Sequence, residues 1–274
     1  MKTRTITGLI MAIILIPLLW LPDALFFVVI SILTLIASYE MVKLYGTSSP
    51  LKWPVYFYHG IAVLLLYGVT LMTYLNGVNP LVILLSIMWI LITGLVAMIF
   101  SDSLSSKLFS QMCFSIVYIA LTFVAISVIK TQGLAFFIYF LMLSMLTDMF
   151  AYYVGIRFGK HKLAPKISPK KTLEGAIGGT FIAVLIATTF GYFLDVFIID
   201  GVMLPWTLIL VMGIVVSFSA QIGDLIASKI KRDHGVKDFS NLLPGHGGIL
   251  DRFDSTMFAG LLLMFFLFLV EVIG

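Results

Sequence analysis

The chain has 274 residues, of which 61% are hydrophobic and only 11% are charged, whereas an ordinary soluble domain has about 25% charged residues. With a mean hydropathy of +1.13, this composition excludes a water-soluble globular enzyme and indicates a polytopic membrane protein. The single cysteine, Cys113, excludes an intramolecular disulfide, and we interpret it as a small buried hydrophobe because it lies in an apolar run.

Apolar stretches between polar, glycine or proline breaks predict an all-α chain of about nine transmembrane helices. We interpret the first stretch as a retained span rather than a signal peptide, because bulky residues close it and no small-residue cleavage site follows. The spans are expected near residues 6–22, 24–45, 55–75, 80–100, 108–129, 133–156, 175–198, 204–227 and 256–273.

The basic residues predict the orientation of these spans. With the N-terminus in the cytoplasm and the C-terminus outside, 16 of the 17 lysines and arginines lie on the cytoplasmic side and only Lys130 lies outside, in agreement with the positive-inside rule. The formal charge of +4 follows from these loops. It indicates anionic lipid headgroups or an anionic substrate as partners, and no nucleic acid.

Polar residues are concentrated in the second half of the chain. The spans within residues 1–130 contain little polarity beyond Glu40, Asp102 and a few serines and threonines, and we interpret residues 1–130 as an N-terminal transmembrane scaffold of about five helices. Residues 131–274 are interpreted as a catalytic transmembrane region of about four helices, with cytoplasmic loops at 157–174 and 229–253.

The sixth span contains an acidic residue, Asp148. A carboxylate inside a membrane span is costly and normally faces a wet cavity or a partner, so a functional role is favoured over a simple interhelical hydrogen bond. Tyr152 lies on the same helix face at i+4 and could bond a ligand or the same carboxylate. Gly155 and Gly159 follow, and their spacing predicts close packing against another helix.

The loop after this span contains a candidate anion site. Ser168 before Pro169 is typical of a helix N-cap followed by the first helical residue, which predicts that a helix restarts there. Its free N–H groups would then point at the cytoplasmic interface, with Lys171 and Thr172 beside them.

The eighth span ends in a polar stripe formed by Gln221, Asp224, Ser228 and Lys231, which share one helix face. A membrane helix has little packing reason for such a stripe. The alternative is a helix end that snorkels into water.

A glycine-rich stretch, 244–248, leads directly into Asp251 and Asp254, which lie at i and i+3 on one face of the starting last helix. Paired carboxylates beside glycines and cationic side chains are typical of magnesium-dependent phosphate chemistry. Together with Asp224 they could hold one ion or bridge two. His246 is a weak ligand for magnesium, and a phosphate contact and a structural loop bond are both open for it.

Residues 228–254, which we name the signature segment, resemble without interruption the signature of the phosphatidate cytidylyltransferase family, the CDP-diacylglycerol synthases. The sixth span (Asp148, Ala151, Tyr152, Gly155) and the segment 168–175 resemble the family as well. The resemblance implies that the chain condenses CTP with phosphatidic acid to give CDP-diacylglycerol and pyrophosphate, and that Mg²⁺ is required.

Carried over by position, the resemblance implies that Asp224, Asp251 and Asp254 are the cation ligands, and that the phosphates are surrounded by Ser168, Lys171, Lys231, Arg232, Lys237, His246 and Arg252. The complete predicted site has catalytic residues Asp224, Asp251, Asp254, Lys231 and Arg252. Its predicted substrate-binding residues are Asp148, Tyr152, Ser168, Lys171, Thr172, Ser228, Arg232, Lys237, His246, Gly247 and Gly248.

Two other classes of function remain open from the sequence. Intramembrane carboxylates also mark secondary transporters, although the polar cluster here lies at the cytoplasmic boundary rather than the midplane. Another membrane transferase that handles CTP or CDP-lipids is the second alternative. A second cation in the same site and a homodimer are left open, and the bacterial inner membrane is the expected location.

Overall fold

A computed structural model describes residue 13 and residues 16–47, 51–101, 104–199 and 202–273 of the chain. Within these residues, eight helices are long and apolar enough to cross a membrane, which confirms the prediction of an all-α polytopic membrane protein. Most of the first predicted span, 6–22, lies outside the described residues. The helices are α1 (Asp23–Tyr45), α2 (Trp53–Asn76), α3 (Leu81–Phe100), α4 (Ser106–Thr131), α5 (Leu134–Phe158), α6 (Leu173–Phe193), α7 (Trp206–Asp233) and α8 (Leu250–Ile273).

Two short antiparallel hairpins were not expected. Strands β1 (Lys162–Ala164) and β2 (Ser168–Thr172) pair before α6, and β3 (Ile198–Ile199) and β4 (Val202–Met203) pair after it. The second hairpin explains why α6 ends at Phe193 and not near 198. Asp195 has a positive φ of 52°, and Phe197 is buried with its ring edge-on to Tyr139 at 5.1 Å, so these apolar residues form a packed turn.

The helices around the signature segment are longer than predicted. Helix α7 continues to Asp233 and α8 begins at Leu250, so the loop expected at 229–253 covers 234–249. An i,i+4 ion pair between Lys229 and Asp233 stabilises the polar extension of α7. The prediction that Asp251 and Asp254 lie in the first turns of the last helix is confirmed.

The chain divides into two compact units. The first consists of Met1–Val128 with His234–Arg252, and the second consists of Ile129–Asp233 with Phe253–Gly274. The break after Val128 is close to the boundary at residue 130 that we expected, but most of the long loop belongs to the N-terminal unit. The functional division into a scaffold and a catalytic region stays a prediction.

The first unit is held together by apolar packing and by buried polar contacts, among them a network around His59. Val42, Val55, Leu108 and Met112 pack in a core cluster between α1, α2 and α4. His59 on α2 bonds through Nδ1 to Ser38 Oγ at 2.6 Å and through Nε2 to Ser115 Oγ at 2.7 Å. Because both ring nitrogens are satisfied, this fully buried histidine is stable inside the helix bundle.

The second unit depends on close helix packing at small residues. A Cβ added to Gly155 would lie 2.9 Å from Thr172 Oγ1, and one added to Gly179 would lie 2.6 Å from the backbone nitrogen of Ala151. Gly159 is similarly crowded by Thr172. The prediction that Gly155 and Gly159 are close-approach positions is therefore confirmed, and it is these contacts that bring α5 against α6.

Candidate active site

Three helices of the second unit each contribute one aspartate to a common cluster. Asp148 comes from α5, Asp224 from α7 and Asp254 from α8. The charge of Asp254 acts on both Asp224 and Asp148, and Asp148 and Asp224 also repel each other. Like charges brought together inside a bundle require cations or hydrogen-bond donors to hold them.

Two lysines supply positive charge to this aspartate cluster. Lys171, the fourth residue of β2, places Nζ 2.5 Å from Asp224 Oδ2, and its charge also attracts Asp148. Lys231 on α7 is only 7% exposed and acts on Asp254. Three carboxylates with two ammonium groups form a mixed-charge site, which can exchange an internal ion pair for contacts to a phosphate.

Hydroxyl and amide donors orient the carboxylates. Ser228 donates from Oγ to Asp224 Oδ1 at 3.2 Å. Ser255 donates from Oγ to Asp148 Oδ2 at 2.6 Å and from its backbone N–H to Asp254 Oδ1 at 2.8 Å. Ser255 therefore links two of the three aspartates, and its only sequence signal is its position next to Asp254.

The polar stripe on α7 faces the interior of the second unit. Gln221 donates from Nε2 to Ala176 O at 3.1 Å and to Thr180 Oγ1 at 2.9 Å, which fixes α7 against α6. Gln221, Ser228 and Lys231 are all buried. The alternative of a helix end that snorkels into water does not fit this burial.

The segment before α6 differs from the prediction. We expected Ser168 to cap a helix starting at Pro169, but residues 168–172 form strand β2, and the helix begins at Leu173. Thr172 is the N-cap, and its side chain accepts a hydrogen bond from Gly175 N at 3.2 Å. Residues 168–172 form a strand rather than a helix because they pair with β1 in a hairpin. This hairpin places Lys171 next to Asp224.

The loop of the signature segment belongs to the first unit. We name residues 239–250 the glycine loop. Asp251 accepts hydrogen bonds at Oδ2 from Phe239 N at 2.8 Å and Gly248 N at 2.9 Å, one from each end of this loop. Within the loop, Leu243 N donates a hydrogen bond to Gly247 O and His246 N donates one to Leu243 O, each at 2.8 Å.

Gly247 cannot be replaced without strain. It has a φ of +81°, and a Cβ there would lie 2.6 Å from Asp251 Oδ2. His246 is half-buried, and its Nδ1 has no hydrogen-bond partner among the described residues.

The predicted site residues therefore fall into two groups. Asp148, Lys171, Asp224, Ser228, Lys231 and Asp254 are linked by contacts or charge within the second unit, whereas His246, Gly247, Gly248 and Asp251 belong to the first unit. Tyr152 is 62% exposed, and its ring contacts that of Tyr153. The remaining predicted cations are all exposed: Arg232, Lys237 and Arg252.

Glu40 is a carboxylate that was not predicted from the sequence as a site residue. Glu40 on α1 was assigned to the scaffold, but it is buried and accepts hydrogen bonds from Ser240, Ile249 and Leu250. The same argument that singled out Asp148, an acidic residue in an apolar span, applies to Glu40 and would have identified it.

Comparison with known proteins decides the family. The sequence model of the cytidylyltransferase family matches residues 2–270. The chain belongs to this family. A phosphatidate cytidylyltransferase of Staphylococcus aureus strain COL is 34% identical over 263 residues, which cover 94% of this chain and 95% of that protein. The enzyme of that name from Staphylococcus haemolyticus is 34% identical over 258 residues, with the same two coverages.

A third relative, the phosphatidate cytidylyltransferase of Staphylococcus epidermidis strain RP62A, is 42% identical over 174 residues, or 60% of this chain and 65% of that protein. These matches confirm the resemblance of the signature segment to the phosphatidate cytidylyltransferase family. They also confirm that the chain is an enzyme, a membrane-bound transferase of phospholipid biosynthesis.

Proposed function

We propose that the chain transfers the cytidylyl group of CTP to phosphatidic acid, giving CDP-diacylglycerol and pyrophosphate, in the inner membrane of a bacterium. The observation that supports this most directly is the mixed cluster of Asp148, Asp224 and Asp254 with Lys171 and Lys231. Two members, Lys231 and Asp254, lie within the signature segment, and Asp224 lies one helical turn before its first residue.

The reaction is an in-line displacement at phosphorus. An oxygen of the lipid phosphate attacks the α-phosphorus of CTP and forms a new P–O bond, while the bond to the oxygen that bridges to the β-phosphate breaks. The electron pair of that bond leaves with pyrophosphate. The attacking phosphate is already ionised at neutral pH, so the chain needs neither a nucleophilic side chain nor a strong general base.

The residues of the chain would position the two anionic substrates. Lys171 and Lys231 supply fixed positive charge for the phosphates, which offsets their mutual repulsion and the negative charge that develops on the leaving group. Ser228 and Ser255 hold the carboxylates in place. The acyl chains of the lipid would stay in the bilayer while its headgroup reaches this polar cluster.

The donor chemistry of the cluster fits Mg²⁺, because carboxylate and hydroxyl oxygens are the hard ligands that this ion prefers. Within the described ranges, no group of three or more His, Cys, Asp or Glu side chains is arranged to hold a metal ion. One or two carboxylates with substrate phosphates are the usual magnesium ligands, and we assign Asp224 and Asp254 to this role. When bound, Mg²⁺ supplies charge neutralisation on the triphosphate.

Asp251 remains a candidate ligand from the sequence prediction, but it has a second task. Its Oδ2 accepts two backbone hydrogen bonds, from Phe239 N and Gly248 N, so this carboxylate also holds the glycine loop.

The active site is proposed to face the cytoplasm. This orientation rests on the distribution of lysine and arginine, 16 of 17 of which lie on one side in the nine-span arrangement. CTP is a cytoplasmic nucleotide, and it would approach the same side.

The identity of the leaving group tests this proposal against the alternatives. Purified protein in mixed micelles with phosphatidic acid, labelled CTP and Mg²⁺ is expected to form CDP-diacylglycerol and pyrophosphate in equal amounts. A CTP-dependent lipid kinase would release CDP instead of pyrophosphate. A CDP-alcohol phosphotransferase would form neither product here, because its donor is a CDP-alcohol and not CTP. Release of CDP, the absence of both products, or transport without turnover in liposomes would overturn the proposal.

A further inference from the structure

Glu40 is a buried carboxylate for which the proposed reaction gives no direct role. It lies on α1 with only 1% of its surface exposed. A carboxylate buried in a membrane helix is costly unless donors satisfy its oxygens. Among the described residues, its hydrogen-bond donors all come from the glycine loop, about 200 residues later in the chain and within the same compact unit.

The three hydrogen bonds to Glu40 reach both ends of the glycine loop. Oε1 accepts from Ser240 Oγ at 2.6 Å, near the start of the loop, and from Ile249 N at 2.9 Å, near its end. Oε2 accepts from Leu250 N at 2.9 Å. Leu250 begins α8, so Glu40 satisfies free N–H groups at the helix N-terminus and its negative charge favours the helix dipole.

Gly248 fits closely beneath the same carboxylate. A Cβ added at Gly248 would lie closer to the carboxylate atoms of Glu40 than van der Waals contact permits. The absence of a side chain at Gly248 is thus explained by Glu40, and the glycine lets the loop backbone lie directly against the carboxylate.

Two carboxylates therefore fix one loop. Asp251 holds Phe239 and Gly248, and Glu40 holds Ser240, Ile249 and Leu250. The residues between them contain His246 and Gly247, which are predicted substrate-binding residues. We propose that Glu40 is a positioning residue for cytidylyl transfer, which sets the conformation of the glycine loop from a helix outside the signature segment. The expected effect of Glu40 on catalysis rests on the proposed function, whereas its effect on the conformation of the glycine loop does not.

The test replaces Glu40 without changing its shape. Glu40→Gln keeps one acceptor oxygen but removes the charge and the second acceptor, so at least one bond to the loop is lost. We expect kcat to fall by about 10- to 100-fold, the usual cost of losing a group that orients site residues, while the KM for phosphatidic acid stays within about twofold of the wild type. Hydrogen exchange of residues 239–250, followed by mass spectrometry, should become about tenfold faster or more.

A matched control lies on the same helix. Thr34 is fully buried on α1, and its Oγ1 donates a hydrogen bond to Ile30 O of the same helix. Thr34→Val should keep the wild-type kcat and the wild-type exchange of residues 239–250. A purely structural role of Glu40 would instead speed exchange throughout the first unit and lower the amount of folded enzyme without lowering kcat per folded molecule.

Ser240→Ala keeps the inference testable if Glu40→Gln does not fold. It removes one donor to Glu40 and is expected to lower kcat less than Glu40→Gln does, with faster exchange in residues 239–250. In the double variant the two losses should not add, because both act through one hydrogen-bonded group. Wild-type exchange in Glu40→Gln and Ser240→Ala would overturn the inference. If the hydrogen exchange of residues 239–250 changes as expected but the wild-type protein has no cytidylyltransferase activity, the proposed function is overturned instead.

Discussion

Lys171 and Lys170 are adjacent but have different surroundings. Lys171 lies with Nζ 2.5 Å from Asp224, whereas Lys170 is exposed, as expected of neighbours in a strand, which point to opposite faces. We predict that Lys171→Ala lowers kcat by about 100-fold, since one fixed charge aimed at a transition state is worth that much. Lys170→Ala is the matched control and should retain wild-type turnover. Equal losses in both variants would indicate a general effect of loop charge.

Asp251 and Asp254 are three residues apart on one helix, but their contacts differ. Asp254 interacts with Asp224 and Lys231, while Asp251 accepts two loop amides. Asp254→Asn is expected to abolish nearly all turnover in a protein of unchanged thermal stability. Asp251→Asn should lose activity as well, and it should also lose about 1–3 kcal/mol of unfolding free energy because buried amides are left with weaker acceptors. Wild-type activity in both variants would contradict both assignments.

At the level of the helices, α7 and α8 approach closely at Gly223. A Cβ there would lie 2.6 Å from Asp254 O and 2.8 Å from Phe258 Cβ. Gly223→Ala is therefore expected to cost about 1–3 kcal/mol of stability by overpacking and to displace Asp254 from its partners, with loss of turnover.

Gly68, in the interior of α2, offers the matched control because a Cβ there would meet nothing within 4 Å. Gly68→Ala should be neutral or stabilising by up to about 1 kcal/mol. The measurement is thermal unfolding in detergent together with turnover. An unfolding temperature in Gly223→Ala equal to that of Gly68→Ala would contradict the packing argument.

The helices were the most predictable part of the fold, because apolar length alone defines a membrane span. Their ends were less predictable. The run at 194–198 is as apolar as a helix but packs as a turn around Phe197, and Ser168 has the chemistry of an N-cap but lies in a hairpin. In both places a tertiary contact outweighs the local preference.

The aspartates of the site could be predicted because carboxylates are rare in such a chain, and their spacing on α7 and α8 follows from helix geometry. The contacts of Glu40 and Ser255 could not, since they join residues that are distant along the chain, 200 or more residues apart for Glu40 and 107 for Ser255. Glu40 could have been flagged as a buried acid, but its partners in the glycine loop required the structure.

For the whole molecule, the main untested expectation is the orientation in the membrane. In a Cys113→Ser background, single cysteines at the exposed positions Lys166, Asn241 and Gln132 sample the two polar loops and the segment between α4 and α5. A membrane-impermeant maleimide should label Lys166→Cys and Asn241→Cys only from the cytoplasmic side, in inverted vesicles, and Gln132→Cys only in intact spheroplasts. Labelling of all three from the same side would contradict the arrangement of spans on which the orientation depends.

The central claim is that the cluster of Asp148, Asp224 and Asp254 with Lys171 and Lys231 carries out cytidylyl transfer. Its most direct test is the rate of CDP-diacylglycerol formation by purified wild-type protein and by Asp224→Asn, in the same micelles with phosphatidic acid, CTP and Mg²⁺. We predict Mg²⁺-dependent turnover by the wild type and a loss of about 100-fold or more in the variant, with unchanged folding. Folded Asp224→Asn that turns over at the wild-type rate, or a folded wild type that forms no product, would contradict the account.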